Sequence, residues 1–331
     1  MLTPLISVIV PTYHREEPLR HTLDSLLAQT YPDVEILVVD QTIAHDPDTT
    51  ELLQTLSDKG LIEWHRVEWA NLPAARNYGV RRSMGSILVF IDDDVELPPH
   101  FLWAHVHNYQ HPETAGVAGR VLPPAHTDQP LVRPQLHLPP EAQDPAIAWF
   151  YLDFSNTLQA QAVLTARGCN MSFRRELFFQ WNLWFDERFG GCAVREESDF
   201  CLRVRRTGMQ IWYDPTAKLT HFGEQTGGCH TLDVRSPQYQ ITFYHNHFWM
   251  ALKNLTVVQQ VRFALRLFDC HVLGHAPCDK ERSPIKIVGR AVFYLLGLLQ
   301  AGRTALQSRW SDGQGYSQPD ADSCRKPYLH R

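Results

Sequence analysis

Strand and helix patterns alternate over the first hundred residues, and this alternation restricts the fold more than any other feature of the chain. Leu5–Val10, Val34–Val39 and Ser86–Ile91 are short, largely apolar runs that read as buried strands, with a weaker strand at Leu61–Val67. Between them, Pro18–Gln29 has helical spacing, with Leu19, Leu23, Leu26 and Leu27 on one side. Thr49–Leu56 and Leu72–Met84 read as further helices, the second with Asn71 as its N-cap. Apolar strands separated by helices imply a parallel sheet covered on both faces, an α/β architecture. Ligands of such sheets bind beyond the carboxyl ends of the strands. Pro11-Thr12-Tyr13, Asp40 and Asp92–Asp94 all fall at those ends, so three separate segments are expected to converge on one crevice.

The three consecutive aspartates carry the clearest chemistry. Carboxylates crowded at the mouth of a sheet repel one another unless a cation offsets the charge. Oxygen ligands favour Mg²⁺ or Mn²⁺ over Zn²⁺, and such an ion keeps waters and reaches a substrate's phosphates. These residues alone leave open a solvated acidic turn. The seven cysteines are odd in number and include no C-x-x-C pair, so they read as reduced thiols rather than a disulfide frame or zinc site. The seventeen histidines show no H-E-x-x-H spacing. No stretch reaches eighteen apolar residues and Met1–Leu5 has no basic n-region. Neither a transmembrane helix nor a signal peptide is therefore expected, and the expected location is cytoplasmic or peripheral on the cytoplasmic membrane face.

Charge divides the chain. Residues 1–250 carry 19 Lys and Arg against 30 Asp and Glu, net −11, whereas residues 251–331 carry 12 against 6, net +6. A basic segment after an acidic body fits either a module facing an anionic partner or a solvated helical face. Pro237–Leu252, Thr256–His271 and Ile285–Leu306 have helical spacing. The last contains the apolar run Ala291–Leu299, too short to span a bilayer. With Lys286, Arg290 and Arg303 around it, that helix lies on a membrane surface or packs on the body. Ser311–Arg331 is polar and reads as disordered. In the middle of the chain, Ala115–Leu122 reads as a strand, Pro123–Pro145 as a long loop and Gly168–Arg174 as a strand-like piece. A helix opens at Arg195 and ends at Gly208. In it, Asp199 can pair with Arg195 and Arg203, leaving Glu196 and Glu197 without a local partner.

Seven segments together resemble the family 2 glycosyltransferases of the inverting GT-A fold. They are ISVIVPTYHR at Ile6–Arg15, VEILVVD at Val34–Asp40, NLPAARNYG at Asn71–Gly79, ILVFIDDDV at Ile87–Val95, GCNMSFRR at Gly168–Arg175, FDERF at Phe185–Phe189 and REESDFCLRVRRTG at Arg195–Gly208. The resemblance runs from about Ile6 to His221. It implies a Rossmann-like, mostly parallel sheet with helices on both faces and a helical C-terminal extension. The catalytic domain would be 1–235, with a nucleotide-binding half at about 1–122 and an acceptor half at about 145–235. The extension would be 236–310 and the tail 311–331.

The implied reaction moves a sugar from a nucleotide-sugar donor, a UDP-sugar being favoured, to a glycan or lipid-linked hydroxyl acceptor, with no nucleic acid involved. Pro11, Thr12, Tyr13 and Arg15 would belong to the nucleotide site. Asp40 would accept a hydrogen bond from base or ribose, and Arg76 would approach the donor phosphates with its cationic fork. Asp94 would hold Mn²⁺ or Mg²⁺, with Asp92 at the ribose or the metal, Asp93 in the motif's variable position and His221 a further metal or phosphate contact. The ion would neutralise the leaving nucleoside diphosphate. Glu197 aligns with the general base, and Glu196 is the other candidate. Gln41 stands where relatives often have a second Asp. Two other readings share the crevice. One is a non-catalytic sugar-nucleotide or glycan-binding subunit of the same fold. The other is a Mg²⁺-dependent nucleotidyltransferase, which would want a glycine-rich first loop that Pro11–Arg15 lacks.

Overall fold

The computed structural model describes residues 3–124, 136–150, 156–224, 226–231, 236–275 and 280–311. In chain order the elements are β1 (Ile6–Thr12), α1 (Glu17–Leu27), β2 (Val34–Asp40), α2 (Pro47–Asp58), β3 (Glu63–Arg66), α3 (Leu72–Arg82), β4 (Ile87–Ile91), β5 (Val95–Glu96) and α4 (Phe101–His107). There follow β6 (Thr114–Leu122), β7 (Gln161–Val163), β8 (Asn170–Arg174), α5 (Glu176–Phe179), α6 (Glu196–Arg205), β9 (Gln210–His221), α7 (Pro237–Asn254), α8 (Val257–Leu267) and α9 (Pro284–Ser311). Asn71 caps α3 as expected, its side chain accepting from the Ala74 N–H at 2.9 Å.

The strands form one sheet in the order β3-β2-β1-β4-β8-β6-β9-β5, with β7 also on β9. The first four are parallel, as the alternation requires. β8 then enters antiparallel to both β4 and β6, and β9 runs parallel to β6, so the second half is mixed. The sequence pattern shows only Lys218–Thr220 as strand-like where β9 begins at Gln210. Asp214 and Pro215 interrupt the apolar pattern there, and the register against β6 shifts between Gly119 and Arg120.

Two-residue periodicity sorts the strand side chains between two apolar layers. Val8, Val10, Val89 and Ile91 pack with Leu19 and Leu23 of α1, Leu53 of α2 and Phe101 of α4. Ile9, Leu88 and Phe90 pack on the opposite face with Ala75 and Val80 of α3 and Phe200 and Val204 of α6. Gly79 lets α3 approach β1, since a Cβ there would lie 2.6 Å from Ile9 Cγ2.

A third core gathers Tyr244, Phe248 and Trp249 of α7 with Phe263 of α8 and Tyr294 of α9. Lys253 ties this unit to the body, 2.6 Å from Asp186 and 2.8 Å from Asp199. Asp199 thus pairs with Arg203 and Lys253, whereas Arg195 donates to the Trp149 carbonyl. α9 is one unbroken helix, and its described part is long and apolar enough to cross a membrane by length and composition. That corrects the expectation from run length. Gly297, Gln300 and Gly302 break the apolar run but not the helix. The tail expected to be disordered and residues 125–135 of the expected long loop lie outside the described residues.

Candidate active site

Beyond the carboxyl ends of β1, β2 and β4 lies a crevice of about 320 Å³, within the range of about 300–1,000 Å³ usual for small-molecule sites. Its walls are Pro11 and Thr12 at the end of β1 with Tyr13 and Arg15 after it, Gln41 after β2, Asn71 and Leu72 at the start of α3, and Asp92–Asp94 after β4. His221, Gly228 and Cys229 close the far side. The short strand β5 explains His221. Val95 pairs with His221 across the antiparallel register, and the Phe222 N–H donates to the Asp94 carbonyl at 2.9 Å.

The three aspartates differ in what they touch. Asp94 Oδ1 is 3.2 Å from His221 Nε2, and its Oδ2 accepts from the Glu224 N–H at 3.0 Å. Burial opposes ionisation of Asp94, but His221, the Glu224 N–H and Arg15 outweigh it and lower the pKa. The same pairing raises the pKa of His221 against its own burial. Asp92 Oδ2 lies 3.8 Å from His221 Nε2, and burial raises the Asp92 pKa although Arg76 acts against it. Asp93 points elsewhere. It accepts from Thr12 Oγ1 at 2.7 Å and lies 3.6 Å from Arg15 Nε, while burial lifts its pKa to about 7.

Donor atoms of Asp92, Cys169 and His221 all lie within 4.8 Å of one another, and Asp94 joins them through His221. The oxygen and nitrogen atoms so grouped fit around one divalent ion, whereas burial raises the pKa of the Cys169 thiol and makes it a poor ligand for Mn²⁺ or Mg²⁺. Cys169 was not legible as a neighbour of this cluster, because no second cysteine stands at metal-ligand spacing. The only signal is its place beside Gly168, whose backbone comes close to Arg76.

Arg15 reaches Asp94 Oδ2 at 3.4 Å and the Glu224 carbonyl at 3.4 Å. Its Nε and Nη1 are buried and make no hydrogen bond among the described residues. A buried guanidinium with donors to spare beside a crevice suits an anionic ligand.

Arg76 is not where the sequence expectation put it. It is 1% exposed, paired with Glu196, 3.6 Å from Asp92 Oδ1, and donates to the Gly168 carbonyl at 3.1 Å. It stands behind Asp92 rather than on the crevice wall. Glu196 is buried with it, so this carboxylate is committed to a cation and is a poor candidate for a base. Glu197 is partly exposed and accepts from Ser198 Oγ at 2.8 Å. It makes no ion pair among the described residues, and Arg76 feels its charge. Neither carboxylate forms part of the crevice wall.

Asp40 is also corrected. Fully buried, it accepts from Trp64 Nε1 at 2.9 Å and the Thr42 N–H at 2.8 Å and contacts His45 Nε2 at 3.2 Å. Burial opposes its ionisation, but these partners lower its pKa. The next residue, Gln41, faces the crevice instead, and its Oε1 accepts from the Asn71 N–H at 2.7 Å. An acid that ends a strand invites assignment to the ligand, but this one is consumed by the fold.

The family model described as "Glycosyl transferase family 2" matches residues 7–180. "O-antigen biosynthesis protein RfbC" of Myxococcus xanthus is 27% identical over 302 residues, which is 88% of this chain and 22% of that protein. The chain therefore spans under a quarter of that relative's length. Among solved structures, S. aureus TarS 1-349 in complex with UDP-GlcNAc superposes with a TM-score of 0.57 at 16% identity, covering 89% of this chain and 81% of that one. GalNAc-T7 with UDP, GalNAc and Mn²⁺ superposes with a TM-score of 0.60 at 14% identity, covering 92% and 57%.

Proposed function

This chain belongs to glycosyl transferase family 2, with the GT-A fold, and on that premise we propose that it moves a sugar from a nucleotide-sugar donor to the hydroxyl of a glycan or lipid-linked acceptor, inverting the anomeric carbon. The observation that carries the reading is the meeting of Asp92, Asp94 and His221 at one point of a crevice also walled by Pro11–Tyr13, Gln41 and Arg15. A UDP-sugar is the favoured donor, supported by the UDP and UDP-GlcNAc bound in the two similar structures.

In this reading Pro11, Thr12, Tyr13 and Gln41 hold the nucleoside. Arg15 offers its spare donors to the diphosphate, and Asp93 with Thr12 keeps Arg15 in place. A divalent ion, Mn²⁺ or Mg²⁺, held by Asp94, Asp92 and His221 would supply the charge that the leaving diphosphate needs. Glu197 takes the proton of the acceptor hydroxyl as its oxygen bonds to the anomeric carbon and the bond from that carbon to the phosphate oxygen breaks. Arg76 holds Glu196 and Asp92 and so fixes both the metal side and the start of α6, on which Glu197 stands.

The test is nucleotide binding and sugar transfer with and without Mn²⁺, on the intact chain and on Asp94→Ala. The expected result is that the substitution abolishes both the Mn²⁺ dependence of UDP binding and the transfer, while the circular dichroism spectrum is kept. Unchanged Mn²⁺-dependent affinity in Asp94→Ala would put the metal elsewhere. A product with the donor's anomeric configuration would reject the single displacement.

A further inference from the structure

The helix α9 is apolar on two opposite faces, and among the described residues only one of them is covered. Tyr294, Gly297, Ala301 and Ser308 form the buried face. Gly297 sits so close that a Cβ would lie 2.4 Å from Tyr244 Cβ, which docks α9 against α7 along its length. On the opposite side, Ile285, Val288, Val292, Leu295, Leu299 and Leu306 are exposed, Ile285 to 86%. Their spacing of three, four, three, four and seven residues puts them on one stripe about 100° wide. At 1.5 Å per residue the stripe from Ile285 to Leu306 is about 32 Å long. Neighbouring α8 repeats the pattern, with Val257, Val258, Val261 and Leu265 exposed opposite buried Phe263 and Leu267. Soluble proteins rarely leave so much contiguous apolar surface uncovered.

Charge identifies the occupant. Neither Val257–Leu267 nor Pro284–Ser311 contains an Asp or Glu. Arg262, Arg266 and Lys286 on them pair with Asp144, Asp269 and Glu281, but Arg290 and Arg303 add to a segment, 251–331, whose net charge is +6. Among the described residues the Arg290 guanidinium donates to the carbonyls of Val272 and Glu281 and forms no ion pair. An apolar stripe with basic and no acidic residues on its helix fits the boundary between acyl chains and anionic headgroups.

We infer that the outer face of α9, with α8 beside it, seats the protein in the plane of an anionic lipid bilayer, as a monotopic surface and not as a spanning helix. Spanning would require α9 to leave α7, exposing Tyr244, Phe248 and Tyr294. α7 continues from this face to the crevice, since Thr242 packs on the wall residue Gly191 and Asn246 Nδ2 donates to the Gly190 carbonyl at 3.1 Å. The inference concerns lipid binding and stands whether or not the proposed sugar transfer does. If both hold, a lipid-linked acceptor shares the surface on which the crevice is seated.

Co-sedimentation of the full chain with vesicles of phosphatidylglycerol and phosphatidylcholine, against vesicles of phosphatidylcholine alone, is the test. The intact chain is expected to bind the anionic vesicles and to be released in part in about 1 M salt, where the Debye length falls to about 3 Å. Alkaline carbonate should release the remainder. The double substitution Leu295→Glu and Leu299→Glu is expected to weaken binding by about tenfold or more, about 1.4 kcal/mol, with the thermal midpoint unchanged. Should that variant fold poorly, Lys286→Glu with Arg303→Glu changes two exposed side chains, one of them in a surface ion pair with Glu281, and is expected to remove the preference for phosphatidylglycerol. Failure of the intact chain to bind, equal binding by a folded Leu295→Glu and Leu299→Glu variant, or retention through carbonate would each overturn the inference. So would a dimer by light scattering that this variant dissociates while vesicle binding is absent.

Discussion

Arg76→Met gives the sharpest test of how the site is held together. The guanidinium is 1% exposed and serves Glu196, Asp92 and the Gly168 carbonyl at once. Methionine nearly fills the volume but leaves Glu196, equally buried, without a cation. Removing one partner of a buried ion pair typically costs about 3–5 kcal/mol. At about 2–4 °C per kcal/mol for chains of somewhat smaller size, the thermal midpoint should fall by roughly 10 °C. Asp92 softens the loss, because burial already raises its pKa and protonation relieves it further. The assay is urea or thermal unfolding of four proteins, namely the parent, Arg76→Met, Glu196→Met and the double variant, with UDP affinity measured on each below its midpoint. The double variant should recover most of the lost stability, since two apolar groups replace the pair. UDP affinity in Arg76→Met should change by less than about tenfold, or about 1.4 kcal/mol. Additive losses in the double variant would refute the pairing. A hundredfold loss of UDP affinity with an unshifted midpoint would return Arg76 to the donor phosphates.

Glu197→Gln is expected to keep UDP binding and lower turnover by at least about a hundredfold, the scale of general-base loss. Near-normal turnover there would exclude Glu197 as the base. Gly79→Ala puts a Cβ 2.6 Å from Ile9 Cγ2, and overpacking of this kind should cost about 1–3 kcal/mol in urea unfolding; an unshifted midpoint would show that α3 can move away from β1. Burial holds His105 neutral down to about 4 and His271 down to about 3. Their stability contribution is therefore complete above the unfolded value near 6.5 and is lost as pH falls towards 4, by up to about 1.4 kcal/mol per pH unit for each histidine. Asp93 and His221, whose pKa values are raised, act in the opposite sense in the same window. The comparison is therefore made with His105→Gln, in which urea unfolding should show less loss of stability from pH 7 to pH 5 than in the intact chain; an unchanged loss would contradict the burial of that ring.

What the sequence made legible is what short stretches of backbone decide. Leu5–Val10, Val34–Val39 and Ser86–Ile91 are largely apolar runs, so the strands that end at Thr12, Asp40 and Ile91, and the three segments that meet beyond them, could be read to within one or two residues. Asp92–Asp94 follow directly from that geometry, whereas Arg15 came only with the family resemblance. The antiparallel entry of β8 could not be read, because Asn170–Arg174 is equally strand-like in either direction. Its place between β4 and β6 is settled by pairings across some eighty and fifty residues. Nor could the sequence separate Asp40 from Gln41. Both follow the strand, and only the fold shows that Trp64, Thr42 and His45 already occupy the carboxylate.

Arg76 and Glu196 make the same point for chemistry. Reading helix neighbours at three and four residues leaves Glu196 and Glu197 equally unpaired, while the family resemblance sets Arg76 beside a diphosphate. The partner of Glu196 lies 120 residues earlier, on α3, and is brought to it through the sheet. Once that pair forms, the two carboxylates cease to be equivalent. Glu196 is fixed in the interior with its charge matched, and Glu197, one position along α6 and partly exposed, keeps a carboxylate that makes no ion pair among the described residues. The same guanidinium also touches Asp92. A single buried arginine thus links the acidic cluster after β4 to the helix that carries the candidate base. Changes at either end are therefore expected to be felt at the other through Arg76, which a reading confined to local spacing has no means to anticipate.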